Sequence, residues 1–301
     1  MNMTVNVISN AAGRAIQSSL EPLEQRMSAA HEQWSSARDP AFVGRQVPRV
    51  ERALRYFAPE VRHAERVPTT GPVLVVGNHS GYVYFPDLWA TALALVQRRG
   101  LGEPTFGLAY DLLFAVPGLE SFLRRLGALP AGGRAAEAAL RAGAAVLVYP
   151  GGDWEVCRPW TERNKVDLHG RTGFVRLALR TGVPVVPVVA HGSHHSVVVL
   201  SRGDRVARVL GLDRVKVHVM PWLLGFPFGA VPVLPPVPLP AKVTVDFLAP
   251  LDWSCAGADG ARDPAVVQAR YDQVVGLLQA GLDRLRAERP HPILSRLHLA
   301  R

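Results

Sequence analysis

Pro72-Val73-Leu74-Val75-Val76-Gly77-Asn78-His79-Ser80-Gly81-Tyr82-Val83-Tyr84-Phe85-Pro86-Asp87 is the stretch from which the fold can be read. Pro72 to Val76 is an unbroken apolar run, the pattern of a strand covered on both faces. Leu88 to Val96 reads as a helix, and Pro86 suits its first turn. A histidine therefore stands at the carboxyl end of a strand, and an aspartate stands at the start of the next helix. In open α/β sheets, sites are built along that edge. Imidazole exchanges a proton near neutral pH, and a nearby carboxylate can orient it and stabilise the imidazolium. The same residues also admit a structural reading, in which His79 closes a loop and Asp87 only caps the helix.

Working outward, further apolar runs alternate with helical patterns. Thr105 to Leu108, Ala145 to Tyr149, Val183 to Val189, Val215 to Val219 and Lys242 to Phe247 read as strands. The prolines Pro184 and Pro187 place the Val183 run at a sheet edge or an irregular end. Val47 to Phe57 reads as an amphipathic basic helix. Leu112 to Leu126 reads as a helix broken at Pro117-Gly118. Arg134 to Arg141 is stopped by Gly143, and Phe174 to Arg180 is stopped by Gly182. Asp263 to Arg286 is the clearest helix, with Val267, Tyr271, Val274, Leu278, Leu282 and Leu285 at helical steps. Strands alternating with helices predict an α/β fold, a single domain with a central mixed sheet of about five to seven strands flanked by helices. The domain is placed at residues 41–290. Residues 1–40 are read as an N-terminal helical extension, and residues 291–301 as a basic tail.

The bulk properties fit a globular chain with a full core: 301 residues, 48% hydrophobic and 20% charged. The formal charge is 34 − 25 = +9, which suggests an anionic partner such as a membrane surface or a phosphorylated ligand. Nearly all the basic residues are arginine, with Lys165, Lys216 and Lys242 the exceptions. Two cysteines, Cys157 and Cys255, supply neither a disulfide framework nor a metal knuckle. With no signal-peptide pattern and no spanning apolar helix, the expected location is cytoplasmic. The uncharged stretch Val219 to Ala241 carries seven prolines. It reads as an apolar hairpin or loop on the core, or as a surface that dips into a bilayer.

Two further segments follow strands. In Tyr149-Pro150-Gly151-Gly152-Asp153-Trp154-Glu155-Val156-Cys157-Arg158, paired glycines allow close backbone approach and can turn N–H groups toward an anion. Arg158 could add a guanidinium. In the second segment, Arg171 precedes a helix start and could hold an anion there. Ser193-His194-His195 invites a metal or Ser–His reading, but neighbouring histidines point apart.

In this order, Asn-His at a strand end, a strand ending in Pro-Gly-Gly with a following Glu and Arg, and Gly-Val-Pro-Val-Val-Pro-Val, the segments resemble the lysophospholipid acyltransferase superfamily of membrane-associated glycerolipid acyltransferases. The likeness covers about Pro72 to Gly192. The family pattern places Asp five residues after His. Here Tyr84 stands at that position and Asp87 stands eight residues on. The longer loop resembles the branch nearer diacylglycerol acyltransferases and related bacterial enzymes. The family's phosphate-gripping arginine is replaced by Gly132 in Gly127-Ala128-Leu129-Pro130-Ala131-Gly132. Gly151 and Trp154 replace the Glu and Arg of the Pro-Glu-Gly-Thr-Arg motif, with Glu155 and Arg158 as later stand-ins. Both changes favour a less anionic acceptor than lysophosphatidate.

The resemblance implies direct acyl transfer from a thioester to a lipid hydroxyl, with His79 as base and Asp87 as its partner. Asn78, Ser80, Gly151, Gly152, Glu155, Arg158 and Arg171 are the expected substrate contacts, with oxyanion donors near Gly151 and Gly152. Arg124 and Arg125 could meet coenzyme A phosphates, or form a solvated helix face. The expected co-substrate is acyl-CoA or an acyl carrier protein thioester. No bound cofactor, metal or nucleic acid is expected. The expected partners are an anionic membrane surface, the acyl donor and a lipid acceptor. A lysophosphatidate acyltransferase is the nearest alternative. A serine hydrolase would need a Gly-x-Ser-x-Gly elbow, which the chain lacks. A non-catalytic basic protein binding nucleic acid or membrane is the remaining class.

Overall fold

The computed structural model describes residues 38–297 apart from 83, 211–217, 228 and 235. Nearly all of the expected extension over residues 1–40, most of the Val215 to Val219 strand and the end of the basic tail lie outside these. The described strands are β1 (Glu60–Arg62), β2 (Val73–Gly77), β3 (Thr105–Ala109), β4 (Ala128–Pro130), β5 (Ala145–Val148), β6 (Val185–His191), β7 (Val198–Ser201), β8 (Trp222–Gly225), β9 (Gly229–Pro232) and β10 (Thr244–Phe247). The helices are α1 (Pro40–Leu54), α2 (Pro86–Arg99), α3 (Leu119–Leu126), α4 (Gly133–Arg141), α5 (Gly152–Val156), α6 (Gly173–Thr181), α7 (Asp204–Val209), α8 (Pro264–Glu288) and α9 (Pro292–Arg296).

Seven strands form one mixed sheet in the order β1-β10-β6-β2-β5-β3-β4. Every neighbouring pair is parallel except β10 against β6. Side chains alternate across the sheet. Leu74 and Val76 enter a core closed by α4, α6 and α8. Val73 and Val75 enter a second core closed by α1 and α2. Cover on both faces is why β2 is apolar at every position. The long helix α8 is fixed by Asp263, whose carboxylate accepts from Ala265 N at 2.8 Å, and by Pro264 in its first turn. The basic helix starts earlier than its periodicity suggests. Asp39 caps it, accepting from Phe42 N at 2.9 Å, and Pro40 opens it.

β6 is not an edge strand, as its prolines had suggested. It lies between β10 and β2, with all seven residues buried. Pro187 is tolerated because its nitrogen faces the point where β10 has just ended. The chain leaves the ladder after Phe247 and returns at Leu251, while Leu248 N still donates to the Pro187 carbonyl at 2.8 Å. The missing N–H therefore costs only the return bond of one pair, at the very end of the β10 ladder.

The opposite margin of the sheet is tied by charge. Glu60 of β1 meets Arg62 at 2.6 Å, Lys242 at 2.9 Å and Arg289 at 3.1 Å. Burial pushes the Glu60 carboxyl up, but hydrogen bonds from Lys242 and Arg62 and the charges of Lys242 and Arg289 outweigh it, and it falls to about 2. A carboxylate lowered by folding stabilises the native state above its unfolded value of 4.5, and that support is lost as pH falls toward about 2. Glu60→Gln should therefore lower the thermal midpoint at pH 7 and flatten its decline over that acid window, as followed by circular dichroism.

A second sheet, β7-β8-β9, is antiparallel and separate from the first. It contains much of the uncharged Val219 to Ala241 stretch, here folded as a hairpin.

Candidate active site

β2 ends at Gly77 and delivers Asn78 and His79 to the carboxyl edge of the sheet. Asn78 is fully buried. Its amide donates to Ala190 O at 3.1 Å and accepts from Ala190 N at 2.8 Å. It is a clamp between β2 and β6, not the substrate contact expected from sequence, because backbone groups occupy both ends of its amide.

The main chain of His79 is held from both sides. Its N–H donates to Glu155 Oε2 at 2.8 Å, and its carbonyl accepts from Arg158 Nη2 at 3.3 Å. Glu155 and Arg158 pair at 3.1 Å, and both side chains are 0% exposed. These two residues were also expected to touch substrate. They lie beneath the histidine instead and fix where it stands. Burial pushes the Glu155 carboxyl above its usual range, against the charge of Arg158 and the N–H groups of His79 and Asp167.

The ring of His79 meets three groups. Nδ1 lies 3.3 Å from Asp87 Oδ2, an oxygen that also accepts from Ser80 N at 2.9 Å. Such hydrogen bonds are often long without substrate and tighten in the reacting complex. Asp87 Oδ1 is buried with no hydrogen-bond partner among the described residues. The longer loop is accommodated by turning back on itself. Phe85 precedes α2 in the left-handed region, at φ 44°, and its ring centroid lies 5.4 Å from that of His79. Backbone strain of this kind is held by its surroundings and clusters at functional sites. The third group is Tyr149, stacked on the imidazole at 4.1 Å and 17°. Its hydroxyl donates to Thr91 Oγ1 at 3.1 Å, and Thr91 donates to the Asp87 carbonyl at 2.8 Å. Burial, aided by the charge of Asp87, holds the Tyr149 phenol well above its ordinary range, so it stays neutral. Gly77 makes room for this ring, since a Cβ there would lie 2.5 Å from Tyr149 Cε1. Among the described residues no group hydrogen-bonds Nε2, and the His79 side chain keeps 9% of its surface exposed. The result is a fixed imidazole with a carboxylate on one nitrogen and the other nitrogen open.

The Pro-Gly-Gly turn lies beside this ring. A Cβ on Gly151 would come 2.5 Å from Glu155 Oε2 and 2.9 Å from the Asp167 carbonyl, so glycine is required there. The Gly152 N–H donates to the Tyr149 carbonyl at 3.1 Å and is not a free oxyanion donor, contrary to expectation. Arg171 braces the turn. It donates to the carbonyls of Pro150 at 3.3 Å and Gly151 at 3.1 Å, and pairs with Asp153 at 2.7 Å. Arg124 is buried and pairs with Glu120 at 2.9 Å. Arg125 lies over Phe42 and pairs with Asp39 at 2.9 Å, tying α3 to α1. Neither arginine is drawn to the histidine by any of these contacts.

Cys157, His191 and His195 are buried, whereas Cys255 is exposed. Burial pushes the Cys157 thiol up to about 12 and holds His191 down at about 4 and His195 at about 3, so all three stay neutral. The described residues contain no cluster suited to a metal. Sequence reasoning missed Tyr149 and Thr91 as parts of the site. Their signal lies in the register, because Val76 opposite Val148 brings Tyr149 against the end of β2.

Residues 58–191 match the Acyltransferase family model, a span that contains both the histidine loop and the Pro-Gly-Gly turn. An uncharacterized protein of Mycobacterium tuberculosis is 31% identical over 234 residues, covering 78% of this chain and 63% of the relative. The chain thus spans less than two thirds of that relative's length. The DGAT1/2-independent enzyme synthesizing storage lipids of Gallus gallus is 25% identical over 195 residues, covering 63% of this chain and 55% of that enzyme. The crystal structure of the 1-acyl-sn-glycerophosphate (LPA) acyltransferase PlsC of Thermotoga maritima superposes with a TM-score of 0.51 at 19% identity, covering 81% of this chain and 80% of PlsC. That likeness is one of fold. With the histidine loop and the Pro-Gly-Gly turn both inside the matched span, residues 58–191 form a domain of the Acyltransferase family.

Proposed function

We propose that the protein transfers a fatty acyl group from acyl-CoA to the hydroxyl of a glycerolipid or related lipid alcohol at a membrane surface. The observation that carries this reading is the His79 ring, with Asp87 on Nδ1 and Nε2 open. An acyl thioester is already activated, so no enzyme nucleophile is needed. His79 Nε2 takes the proton from the acceptor hydroxyl as its oxygen bonds to the thioester carbon. Asp87 stabilises the imidazolium. The C–S bond then breaks, and the proton passes to the departing thiolate. The immobilised His79 backbone keeps Nε2 at one position, which supports a proximity contribution. Among the described residues no helix is long and apolar enough to cross a membrane. A peripheral location on the inner, anionic face of a membrane is part of the proposal.

The acceptor is proposed to be less anionic than lysophosphatidate. Gly132 supports this, since it caps the start of α4 and brings no side chain where an arginine would grip phosphate. A panel of lysophosphatidate, lysophospholipids, monoacylglycerol, diacylglycerol and glycolipids with radiolabelled acyl-CoA tests it. Neutral or glycolipid acceptors should be acylated fastest. A clear preference for lysophosphatidate would overturn the acceptor assignment, and labelling of none would overturn the activity.

A further inference from the structure

The β7-β8-β9 sheet has one face turned inward and one exposed among the described residues. Val199, Leu223 and Val231 stand opposite one another across the three strands. Val199 and Leu223 are buried, packed with Val197 against Tyr82 and Tyr84 of the histidine loop. The outward set is Val198, Leu224 and Ala230, with Trp222 beside Pro232. It is almost entirely apolar, yet Trp222 is 40%, Leu224 44% and Phe226 79% exposed. The proline-rich segment that follows continues the surface through Val233, Leu234, Val237 and Leu239, all exposed. Isolated apolar residues on a surface need no explanation, but a contiguous patch free of charge does.

We propose that this face docks on an anionic lipid bilayer and delivers the acceptor lipid to His79; the inference deepens the proposed function and rests on it. Two observations choose the bilayer. The first is charge. α7 lies between β7 and β8, where Met220 N closes the hairpin onto the Arg202 carbonyl at 2.9 Å. α7 exposes Val206 and Val209 together with Arg205 and Arg208. Arg208 pairs only loosely with Asp204, at 3.9 Å, and its side chain is 74% exposed. An apolar surface with two exposed arginines on the adjoining helix matches acyl chains beneath anionic headgroups. The second is continuity with the site. Tyr84, five residues past His79, donates its hydroxyl to the Pro236 carbonyl at 2.9 Å. The loop carrying the base is thus bonded to the docking segment, and a lipid rising from the bilayer arrives beside it.

The test is flotation of the full chain with phosphatidylcholine vesicles, with and without equimolar phosphatidylglycerol. The wild type should float with the mixed vesicles and much less with phosphatidylcholine alone. Leu224→Ser/Phe226→Ser should lower vesicle partitioning by about tenfold or more, as expected for removing two large apolar side chains from a lipid contact. Arg205→Glu/Arg208→Glu should remove the dependence on phosphatidylglycerol. Both variants should keep the wild-type thermal midpoint and acylate a detergent-dispersed acceptor normally. His79→Ala should float like the wild type, so vesicle binding is read independently of catalysis. Wild-type flotation by folded Leu224→Ser/Phe226→Ser would overturn the proposal. So would a wild-type dimer that this variant splits into monomers with no change in flotation.

Discussion

His79→Ala should lower acyl transfer at least about 100-fold, the lower end of what general acid–base catalysis contributes. Single-turnover transfer from radiolabelled acyl-CoA would measure it, with circular dichroism confirming the fold. The expectation follows from how little else is available. Among the described residues the His79 ring alone is hydrogen-bonded to Asp87, while burial lowers the proton affinity of His191, His194 and His195. The ring packs against Tyr149 and Phe85 and is a member of neither hydrophobic core, so its loss leaves both cores filled. Full activity in the variant would remove the histidine from the mechanism.

Arg158→Met should have the largest effect on stability. Arg158 and Glu155 are both sealed from solvent, and an uncompensated buried carboxylate typically costs about 3–5 kcal/mol. Denaturant unfolding should show that loss. The double variant Glu155→Leu/Arg158→Leu should recover much of it, because replacing both partners of a buried pair with apolar groups is often close to neutral. It should not recover activity. With Glu155 gone the His79 N–H has no acceptor, and with Arg158 gone its carbonyl loses a donor. A double variant with both stability and wild-type turnover would show that the pair does not position the histidine.

Most of the framework was legible from apolar runs. β2, β5 and the helices α2, α6 and α8 stand where their patterns place them, since strands buried on both faces leave a continuous signal. The position of β6 was not legible. Proline reports a missing N–H but not which way it points, and only the departure of β10 at Phe247 shows that the gap falls at the end of a ladder. The roles of Asn78, Glu155 and Arg158 were hidden for a related reason. Their neighbourhood within the motifs was readable, but whether a polar side chain faces a ligand or the backbone of another strand is set by tertiary packing. Tyr149 was masked by its own motif, where glycines draw the eye and the aromatic residue before them reads as the end of a strand.

The outer strand of the small sheet carries one more consequence. Val233 N donates inward to the Pro221 carbonyl at 2.8 Å, so the nitrogen of the preceding residue, Pro232, points away from β8. That rim therefore lacks a donor where a passing chain would need one to add a strand, and the prolines that follow extend the denial. Greasy hairpins usually invite self-templating into fibrils. This one exposes an apolar face while its outer rim refuses ordered growth with its own kind.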